Sequence, residues 1–305
     1  MVTLPRDEDE VVLTRGKARV QLTNLRKVYW PERKHTKRDL LQYYLDLAPI
    51  LVPHLKDRAM VMKRYPNGIH GPFFFMKRTP DPAPAWLKTC RIRHTTGVIA
   101  FPMVQDLLSL LWVVNLGCID LNPWYSRCDD TDRPDYLHFD LDPTAGASFA
   151  KALQCALILR DALETVGMKP LVKTSGASGL HVYVAIKRGP TQKQVWTVAK
   201  TIAVELAGAN PRLMTTKFKI AERPRGTVLV DYNQNAWGRT LASVYSVRPT
   251  VSASVSVPLT WKEVEKGVAI EDFRLDNIGK RLARVGDLWK PMLAARGRFD
   301  LSKVT

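Results

Sequence analysis

Apolar and polar residues alternate along the chain from Tyr136 to Pro143. A period of two is typical of a β-strand, whose successive side chains point to opposite faces. Three apolar residues would then enter a core, whereas His138, Asp140 and Asp142 would share the other face with Tyr136. The pattern predicts a strand that carries two neighbouring carboxylates and ends at a proline, which cannot donate to a continuing sheet.

Apolar residues recur at helical spacing in several other stretches. Thr36 is a suitable N-cap for a helix from Lys37 to about Leu55. Further helices are predicted at 104–116, 148–166, 191–207 and in the region 276–296. Further strands are predicted at 60–65, 169–174, 180–186 and 227–232. Residues 1–20 are predicted to form a flexible arm.

The charge balance indicates a class of partner. The chain of 305 residues has 46 Lys and Arg against 29 Asp and Glu, a formal net charge of +17. Such an excess favours a polyanionic partner, most often nucleic acid. No run of about 18 apolar residues is present to span a membrane, and the polar N-terminus lacks the features of a signal peptide. We therefore expect a cytoplasmic protein without a membrane partner.

Cysteine spacing gives a further expectation. The four cysteines lie far apart and form no CxxC pair: Cys90, Cys118, Cys128 and Cys155. This spacing argues against a zinc site or a disulfide framework and predicts four reduced thiols.

Three carboxylates are candidate metal ligands. Asp140 and Asp142 would repel each other on one strand face, and a divalent cation such as Mg²⁺ or Mn²⁺ removes that repulsion. A solvated acidic turn is the alternative for this pair. Asp231 ends an apolar run and either caps a turn or completes a three-carboxylate cage with them. Such a cage can hold two divalent ions.

The segment from Lys173 to His181 joins two predicted strands through glycines and hydroxyl residues. Its glycines would let backbone N–H groups turn toward an anion, and its hydroxyls would add donors. His181 could contact a phosphate at the start of the next strand. The loop is not a Walker A motif, and a plain hairpin is the alternative.

Basic residues form two clusters. The first contains Arg26, Lys27, Arg33, Lys34, Lys37 and Arg38. Within it, Lys37 falls at a predicted helix start, where free N–H groups would help it hold a phosphate. The second cluster flanks Asp231 and contains Arg223, Arg225, Arg239 and Arg248. Arginines around a carboxylate metal site suit a triphosphate.

The consecutive aromatic residues Phe73, Phe74 and Phe75 could stack on nucleic-acid bases. Because runs of aromatic residues more often fill a core, we expect at least one of the three to be buried.

Taken together, nine motifs stand in a characteristic order. They are Asn24-Leu25-x-Lys27-Val28 with Lys37, Lys63-Arg64-Tyr65-Pro66-x-Gly68, Phe74-Phe75, Asn115-Leu116-Gly117, Phe139-Asp140-Leu141-Asp142-Pro143, Lys173-Thr174-Ser175-Gly176 through Gly179-Leu180-His181, Asp231-Tyr232-x-Gln234-Asn235, Tyr245-Ser246-x-Arg248 and Val257-Pro258-Leu259-x-Trp261. Over about residues 20–295 the chain resembles the polymerase domain of bacterial end-joining ligase D, a branch of the archaeo-eukaryotic primase superfamily.

The resemblance implies roles for particular residues. The metal ligands would be Asp140, Asp142 and Asp231, holding two divalent cations, Mn²⁺ in preference to Mg²⁺. The incoming nucleotide would be held by Lys63, Asn122, Ser175, His181, Gln234, Arg248 and one of Arg223 and Arg225. A 5′-phosphate on DNA would be bound by Asn24, Lys27 and Lys37. The template strand would stack on Phe74 and Phe75.

Two positions depart from the family pattern. Asn122 stands where the family more often has histidine, and Ser178 stands where it often has lysine. Loss of a cationic donor beside a triphosphate weakens nucleotide binding by about 1–3 kcal/mol when the hydrogen bond was charge-assisted. We therefore expect nucleotide affinity and sugar selectivity to differ from the family pattern.

The resemblance also implies an α+β fold, in which an RNA-recognition-like antiparallel catalytic sheet packs on an N-terminal α/β module. The single catalytic domain would cover 21–300, with modules at about 21–130 and 131–300. The implied activity is a DNA-directed nucleotidyltransferase that extends a 3′-hydroxyl at gaps or broken ends, with efficient use of ribonucleotides, in end joining or gap filling. No ligase or nuclease motif is present, so a stand-alone polymerase or an excised domain is expected. Its partners would be DNA with a 5′-phosphate, nucleoside triphosphates and a separate ligase or end-binding protein, at the nucleoid.

Three rival functions remain open. A two-metal nuclease would also need three carboxylates and a basic surface, but not the Ser, His and Arg set that suits a triphosphate. A metal-dependent glycosyltransferase can use an Asp-x-Asp motif but leaves the net charge unexplained. A non-catalytic DNA-binding repair module would keep its full function after Asp140→Ala.

Overall fold

The computed structural model describes residues 2–304, so Met1 and Thr305 lie outside the described residues. The chain forms two compact units. The first unit contains the chain up to Trp124 together with Ala242–Val255 and Arg274–Asp287, and the second contains the remainder. The boundary lies near the one predicted at about 130. The prediction that the catalytic module runs unbroken over 131–300 differs from the structure, because the two later segments belong to the first unit.

Hydrogen bonds explain why one of these later segments joins the first unit. The N–H of Ser243 donates to the carbonyl of Leu121 at 2.8 Å, and the N–H of Leu121 donates to the hydroxyl of Ser246 at 2.9 Å. The Tyr43 hydroxyl donates to the carbonyl of Tyr245 at 2.8 Å. These polar groups are buried, and they are paired with one another across the two segments. Residues 242–255 therefore belong to the core of the first unit.

The first unit contains short antiparallel sheets and two main helices. Its strands are β1 (Val11–Arg15), β2 (Ala18–Leu22), β3 (Val28–Trp30), β4 (His35–Thr36), β5 (Met60–Arg64), β6 (Phe74–Met76), β7 (Thr89–His94), β8 (Gly97–Pro102) and β9 (Cys118–Pro123). Its main helices are α1 (Lys37–Leu55) and α2 (Leu107–Asn115). Strands β6, β5 and β9 form a three-stranded antiparallel sheet, and α1 packs on α2. Helix α1 begins at Thr36, as predicted, with a capping box between Thr36 and Asp39.

The flexible arm predicted over residues 1–20 is wrong for the described residues. Strands β1 and β2 pair as an antiparallel hairpin through a turn at Gly16, whose φ is +59°. Leu4 is buried, and its carbonyl accepts two hydrogen bonds from the Arg38 guanidinium at 2.9 and 2.6 Å. An alternating strand pattern begins at Val11, directly after the acidic first residues, and it was not recognised in the sequence. Met1, which the predicted arm includes, lies outside the described residues.

The second unit is built on a six-stranded sheet. Its strands are β10 (Ser126–Arg127), β11 (Asp130–Pro134), β12 (Tyr136–Pro143), β13 (Pro170–Thr174), β14 (Leu180–Ala185), β15 (Met214–Thr215), β16 (Val228–Asp231) and β17 (Pro258–Leu259). Its helices are α3 (Phe149–Thr165), α4 (Gln192–Ala209) and α5 (Trp261–Lys266). The sheet order is β15-β16-β12-β14-β13-β17, and only the β15–β16 pair is parallel.

The chain order β12-α3-β13-β14-α4-β16 is a βαββαβ unit. Its four strands lie in the spatial order fourth, first, third, second, all antiparallel, as in RNA-recognition domains. Helices α3 and α4 contact β12, whose three apolar residues Leu137, Phe139 and Leu141 are completely buried. The predicted α+β fold with an antiparallel catalytic sheet is therefore confirmed, and the polar face of β12 is the opposite one.

The C-terminal and cysteine predictions hold only in part. The helical region predicted at 276–296 contains one α-helix, α6 (Ile278–Val285), in the first unit, followed by a 3-10 turn at Lys290–Leu293. Cys118 and Cys155 are buried free thiols, as predicted, whereas Cys90 and Cys128 are disulfide-bonded, so the prediction is wrong for these two. Within residues 2–304, no helix is both long and apolar enough to cross a membrane.

Candidate active site

Polar residues form a row across the centre of the six-stranded sheet. Asp140 on β12 stands directly opposite Asp231 on β16 and, on its other side, directly opposite His181 on β14. His181 in turn stands opposite Lys173 on β13. Directly opposed residues of antiparallel strands point to the same face. We call Asp231, Asp140, His181 and Lys173 the polar row; Asp142 lies on the same face, two residues beyond Asp140.

The carboxylates on this face repel each other. The charge of Asp140, followed by burial, raises the pKa of Asp142 to about 7. Burial is the main cause that raises the pKa of Asp231. Within residues 2–304, no three His, Cys, Asp or Glu side chains are gathered closely enough to hold a metal ion as they stand. The donor set is nevertheless hard carboxylate oxygen with excess negative charge, which is the chemistry that suits Mg²⁺ or Mn²⁺.

Asp231 is held firmly by the turn that follows it. The Asn233 N–H and the Gln234 side-chain amide donate to its two carboxylate oxygens at 2.8 and 2.9 Å. Asn235 exchanges two hydrogen bonds with the backbone of His138, at 3.0 and 2.7 Å. The side chain of Asn235 thus ties the turn back to β12 and fixes the third acid beside the first two.

The structure distinguishes the two candidate arginines. The charge of Arg223 counters the upward pKa shift of both Asp142 and Asp231. Its guanidinium also donates to the carbonyls of Lys217 and Phe218 at 3.2 and 2.9 Å. The guanidinium of Arg225 lies instead beside Gly146. Arg223 is therefore the arginine that accompanies the carboxylates.

The loop between β13 and β14 is organised around one hydroxyl. The Ser175 Oγ accepts hydrogen bonds from the N–H groups of Ala177, Ser178 and Gly179 at 3.1, 3.1 and 2.9 Å. The expectation that loop N–H groups turn toward an anion is wrong for these three, because each donates to the Ser175 hydroxyl oxygen instead. The Ser178 hydroxyl faces the acids instead, 3.5 Å from a carboxylate oxygen of Asp142.

Gly179 is required for this loop to approach β12. A Cβ at this position would collide with the backbone carbonyl of Leu141, next to the paired acids. We predict that Gly179→Ala destabilises the protein by about 1–3 kcal/mol, as other overpacking substitutions do. Urea unfolding followed by circular dichroism measures the change.

The matched control is Gly208→Ala, since Gly208 lies within α4 and has open space at the Cβ position. Alanine there should stabilise the helix by about 0.5–1 kcal/mol. Equal unfolding midpoints for Gly179→Ala and the wild type would show that the loop can move away from β12.

A second cluster, in the first unit, centres on a buried carboxylate. Asp120 on β9 is only 2% exposed, and one of its oxygens lies 3.9 Å from Lys63 Nζ and 3.4 Å from Arg248 Nε. Burial raises the pKa of Asp120, and the charges of Arg248 and Lys63 lower it. The Asn122 side-chain amide donates to the Asp120 carbonyl at 3.1 Å. Three of the predicted nucleotide contacts thus meet around an acid that was not predicted.

The predicted 5′-phosphate residues lie around the start of α1. Lys37 Nζ donates to the Thr23 carbonyl, and Lys27 Nζ donates to the Asn67 side chain, both at 2.7 Å. Burial, together with the nearby charge of Lys27, lowers the pKa of Lys37 to about 8. Asn24 has a left-handed backbone with φ of +56°. Two cations held close to each other suit a doubly charged phosphate.

The free N–H groups expected at this helix start are absent at its first two residues. The N–H of Lys37 donates to the carbonyl of Lys27 at 2.8 Å, and that of Arg38 donates to the carbonyl of Leu25 at 2.9 Å. This expectation is therefore wrong, because the loop before α1 folds back onto the helix end. The side chains of the two lysines, rather than the helix terminus, provide the donors.

All three consecutive phenylalanines are exposed, at 51%, 42% and 62% for Phe73, Phe74 and Phe75. The expectation that at least one lies in the core is wrong. Lys63 Nζ lies 4.3 Å from the centre of the Phe73 ring, and the Arg64 guanidinium lies 5.2 Å from that of Phe74. The rings are held by cations and remain available for stacking.

Comparison with known proteins identifies the family. A family model described as LigD, primase-polymerase domain, matches residues 36–289. The chain belongs to the LigD primase-polymerase family. A multifunctional non-homologous end joining DNA repair protein LigD of Mycobacterium tuberculosis is 31% identical over 278 residues, which cover 88% of this chain and 36% of that protein. A bifunctional non-homologous end joining protein LigD of Bacillus subtilis is 30% identical over 269 residues, covering 88% and 43%.

A solved structure agrees with this assignment. The polymerase domain of M. tuberculosis ligase D in complex with DNA matches with a TM-score of 0.85 and 30% identity, over 90% of this chain and 98% of that one. The chain spans about a third of the length of the mycobacterial relative that it matches. The resemblance inferred from the motifs is therefore confirmed for the primase-polymerase domain.

Sequence reasoning missed two buried residues of this LigD primase-polymerase domain. Asp120 interrupts an apolar run and stands opposite Lys63 in the strand register, and a charge within such a run was the available signal. Lys173 follows Leu171 and Val172 within β13, and a lysine inside an apolar strand was an equally available signal.

Proposed function

We propose that this chain is a DNA-dependent nucleotidyltransferase that extends a 3′-hydroxyl at short gaps or broken ends bearing a 5′-phosphate. Its role would be DNA repair, by end joining or gap filling. The observation that carries the proposal is the register of the central sheet, which sets Asp140 directly between Asp231 and His181. The family assignment supports a polymerase function for the chain that carries this register.

Asp140, Asp142 and Asp231 would hold two divalent cations, Mn²⁺ in preference to Mg²⁺. The fit rests on the donor set, because Asp140 and Asp142 repel each other strongly enough to keep a proton on one of them near neutral pH. Bound cations would lower the pKa of the 3′-hydroxyl and neutralise the charge of leaving pyrophosphate. Gln234 and Asn233 orient Asp231 for this task through their hydrogen bonds.

The nucleotide contacts are proposed residue by residue. Lys63 and Arg248 would bind phosphate oxygens as cations, with Asn122 beside them. His181 and Arg223 would donate to the triphosphate on the sheet. Ser175 would act by shaping its loop, because its hydroxyl already accepts three backbone N–H groups. Arg223 is proposed rather than Arg225, whose guanidinium lies beside Gly146.

The proposed DNA contacts are the lysine pair at the start of α1 and the exposed phenylalanines. Lys27 and Lys37 would bind the 5′-phosphate, with Asn24 shaping the turn beside them. Phe74 and Phe75 would stack on the template strand, since both rings are exposed. A separate ligase or end-binding protein would complete the repair reaction, and a nucleoid-associated location in the cytoplasm would follow from a chromosomal substrate.

One extension assay tests the proposal and two of its rivals. Gapped DNA with and without the 5′-phosphate is incubated with ribo- or deoxyribonucleotides, in Mg²⁺ or in Mn²⁺. We expect primer extension that is faster with the 5′-phosphate, with ribonucleotides and with Mn²⁺. Shortening of labelled DNA with metal alone would indicate a nuclease, and binding without extension would indicate a non-catalytic module.

We predict that Asp120→Asn raises the KM for the nucleoside triphosphate about 10-fold, because it removes the charge that holds Lys63 and Arg248 in place. Steady-state extension at varied nucleotide concentration measures KM and kcat separately. Asp46→Asn, an exposed acid on α1 that accepts a hydrogen bond from Gln42, is the matched control and should leave both unchanged. A loss in kcat with KM unchanged would argue against this positioning role.

A further inference from the structure

Lys173 is a fully buried lysine at one end of the polar row. It is 1% exposed, although lysine is among the residues least often buried. Its Nζ lies 2.6 Å from His181 Nδ1 and 2.6 Å from the Ser256 hydroxyl oxygen. The side chain passes the Tyr183 ring, whose centre lies 5.7 Å from Nζ.

The directions of these hydrogen bonds can be assigned by counting protons. The Ser256 hydroxyl donates to the carbonyl of Thr174 at 2.7 Å, so its oxygen accepts from Lys173. A lysine ammonium has three donors and no acceptor. His181 Nδ1 must then accept from Lys173, which leaves the imidazole proton on Nε2.

Nε2, which carries this proton, is the ring nitrogen that lies near the acids. His181 Nε2 lies 3.3 Å from a carboxylate oxygen of Asp140, the central acid of the row. We propose that Lys173 is a positioning residue that fixes His181 as an Nε2–H donor toward anionic oxygen at the candidate active site. The anion would be the Asp140 carboxylate in the free protein and a phosphate oxygen of the nucleotide during reaction, and the second part rests on the proposed function.

The fixed donor explains a structural cost. Burying a lysine costs free energy unless its N–H groups form hydrogen bonds. Here they bind the His181 ring and the Ser256 hydroxyl. Without Lys173, the neutral imidazole could place its proton on either nitrogen. An imidazole with its proton on Nδ1 would turn a lone pair toward Asp140 and toward any phosphate, and would repel both.

The tautomer can be measured without any activity. The ¹⁵N chemical shifts of labelled histidine distinguish Nε2–H from Nδ1–H imidazole, and the spectrum of His181→Asn assigns the His181 signals. We expect Nε2–H in the wild type and a mixture of tautomers in Lys173→Met, whose side chain preserves the packing on Tyr183. His70, whose Nε2 lies 2.6 Å from a Glu32 carboxylate oxygen in the first unit, is the internal reference and should not change.

Two further variants keep the test decisive. Lys173→Gln retains a donor and should retain the Nε2–H form, whereas Lys173→Leu has no donor and replaces Lys173→Met should that variant fail to fold. Ser256→Ala removes only the second acceptor and should also retain it. Nδ1–H or doubly protonated His181 in the wild type, or an unchanged tautomer in Lys173→Met, would overturn the proposal.

Kinetics then test whether Lys173 acts through His181. We expect Lys173→Met alone to lower kcat/KM for the nucleotide about 10-fold. Added to His181→Asn, the same substitution should have no further effect, because a residue that acts only through His181 gives a non-additive result. An equal loss in both backgrounds would overturn the positioning role. If the wild type extends no primer, the proposed function fails, while the tautomer measurement still decides the inference about Lys173.

Discussion

Asp140→Asn is expected to reduce primer extension about 1,000-fold or more, which is the scale for removing an essential electrostatic group from an active site. Asparagine has the same shape as aspartate but lacks its charge, and Asp140 is the acid that lies directly between Asp231 and His181. Binding to gapped DNA should be retained, because the proposed DNA contacts lie elsewhere in the chain. Single-turnover extension and fluorescence-anisotropy binding measure the two effects.

The control for this variant is Glu164→Gln, an exposed residue of α3, which should extend primers at the wild-type rate. Extension by Asp140→Asn at more than a tenth of that rate would contradict the proposed centre. Equal loss of DNA binding and extension would instead indicate that Asp140 has a structural role.

The same substitution has a consequence that requires no metal and no DNA. The pKa of Asp142 is raised from 3.8 to about 7, with the charge of Asp140 as the largest cause. Between these values the folded protein holds more protons than the unfolded chain, so this group makes stability fall as the pH rises from about 4 to 7. Asp140→Asn should make that decline shallower, which urea unfolding in the presence of a chelator measures.

Local sequence patterns predicted the parts of the site that depend on one element. The alternation in β12 fixes which face Asp140 and Asp142 share, whatever the strand packs against. The N-cap of α1 at Thr36 likewise depends only on neighbouring residues. Such features follow from backbone geometry within a few residues, and the structure has them where the sequence predicts them.

Features that depend on two distant segments could not be predicted from the sequence. The N–H groups of α1 are occupied only because residues 25–27 fold back onto the helix, which no local pattern signals. Arg223 and Arg225 lie two residues apart in an irregular segment, where no period assigns their side chains to a face. The pairing of Asp231 with Asp140 was open for the same reason, since β12 and β16 are about ninety residues apart in the chain and a strand has no preferred partner before folding.

The lysine pair at the start of α1 leads to the other large expected effect. Lys27→Ala combined with Lys37→Ala should abolish the preference for gaps with a 5′-phosphate, a loss of about 100-fold if each lysine contributes a charge-assisted hydrogen bond. Extension of unphosphorylated gaps should change little, because the two ammonium groups would contact only the phosphate. The ratio of extension rates on the two substrates measures the effect, and Lys34→Ala, an exposed lysine of the same segment, is the control.

The pH dependence of this preference separates Lys37 from a general basic surface. The pKa of Lys37 is lowered to about 8, mainly by burial and then by the charge of Lys27, so Lys37 is charged below that pH and loses its proton above it. A phosphate monoester is already doubly charged there, since its second pKa is about 6. The preference should therefore weaken as the pH rises through about 8, and Lys37→Arg should retain it, because arginine stays protonated. A preference that is constant up to pH values well above 8 in the wild type, or that falls equally in Lys37→Arg, would exclude Lys37 as the phosphate ligand.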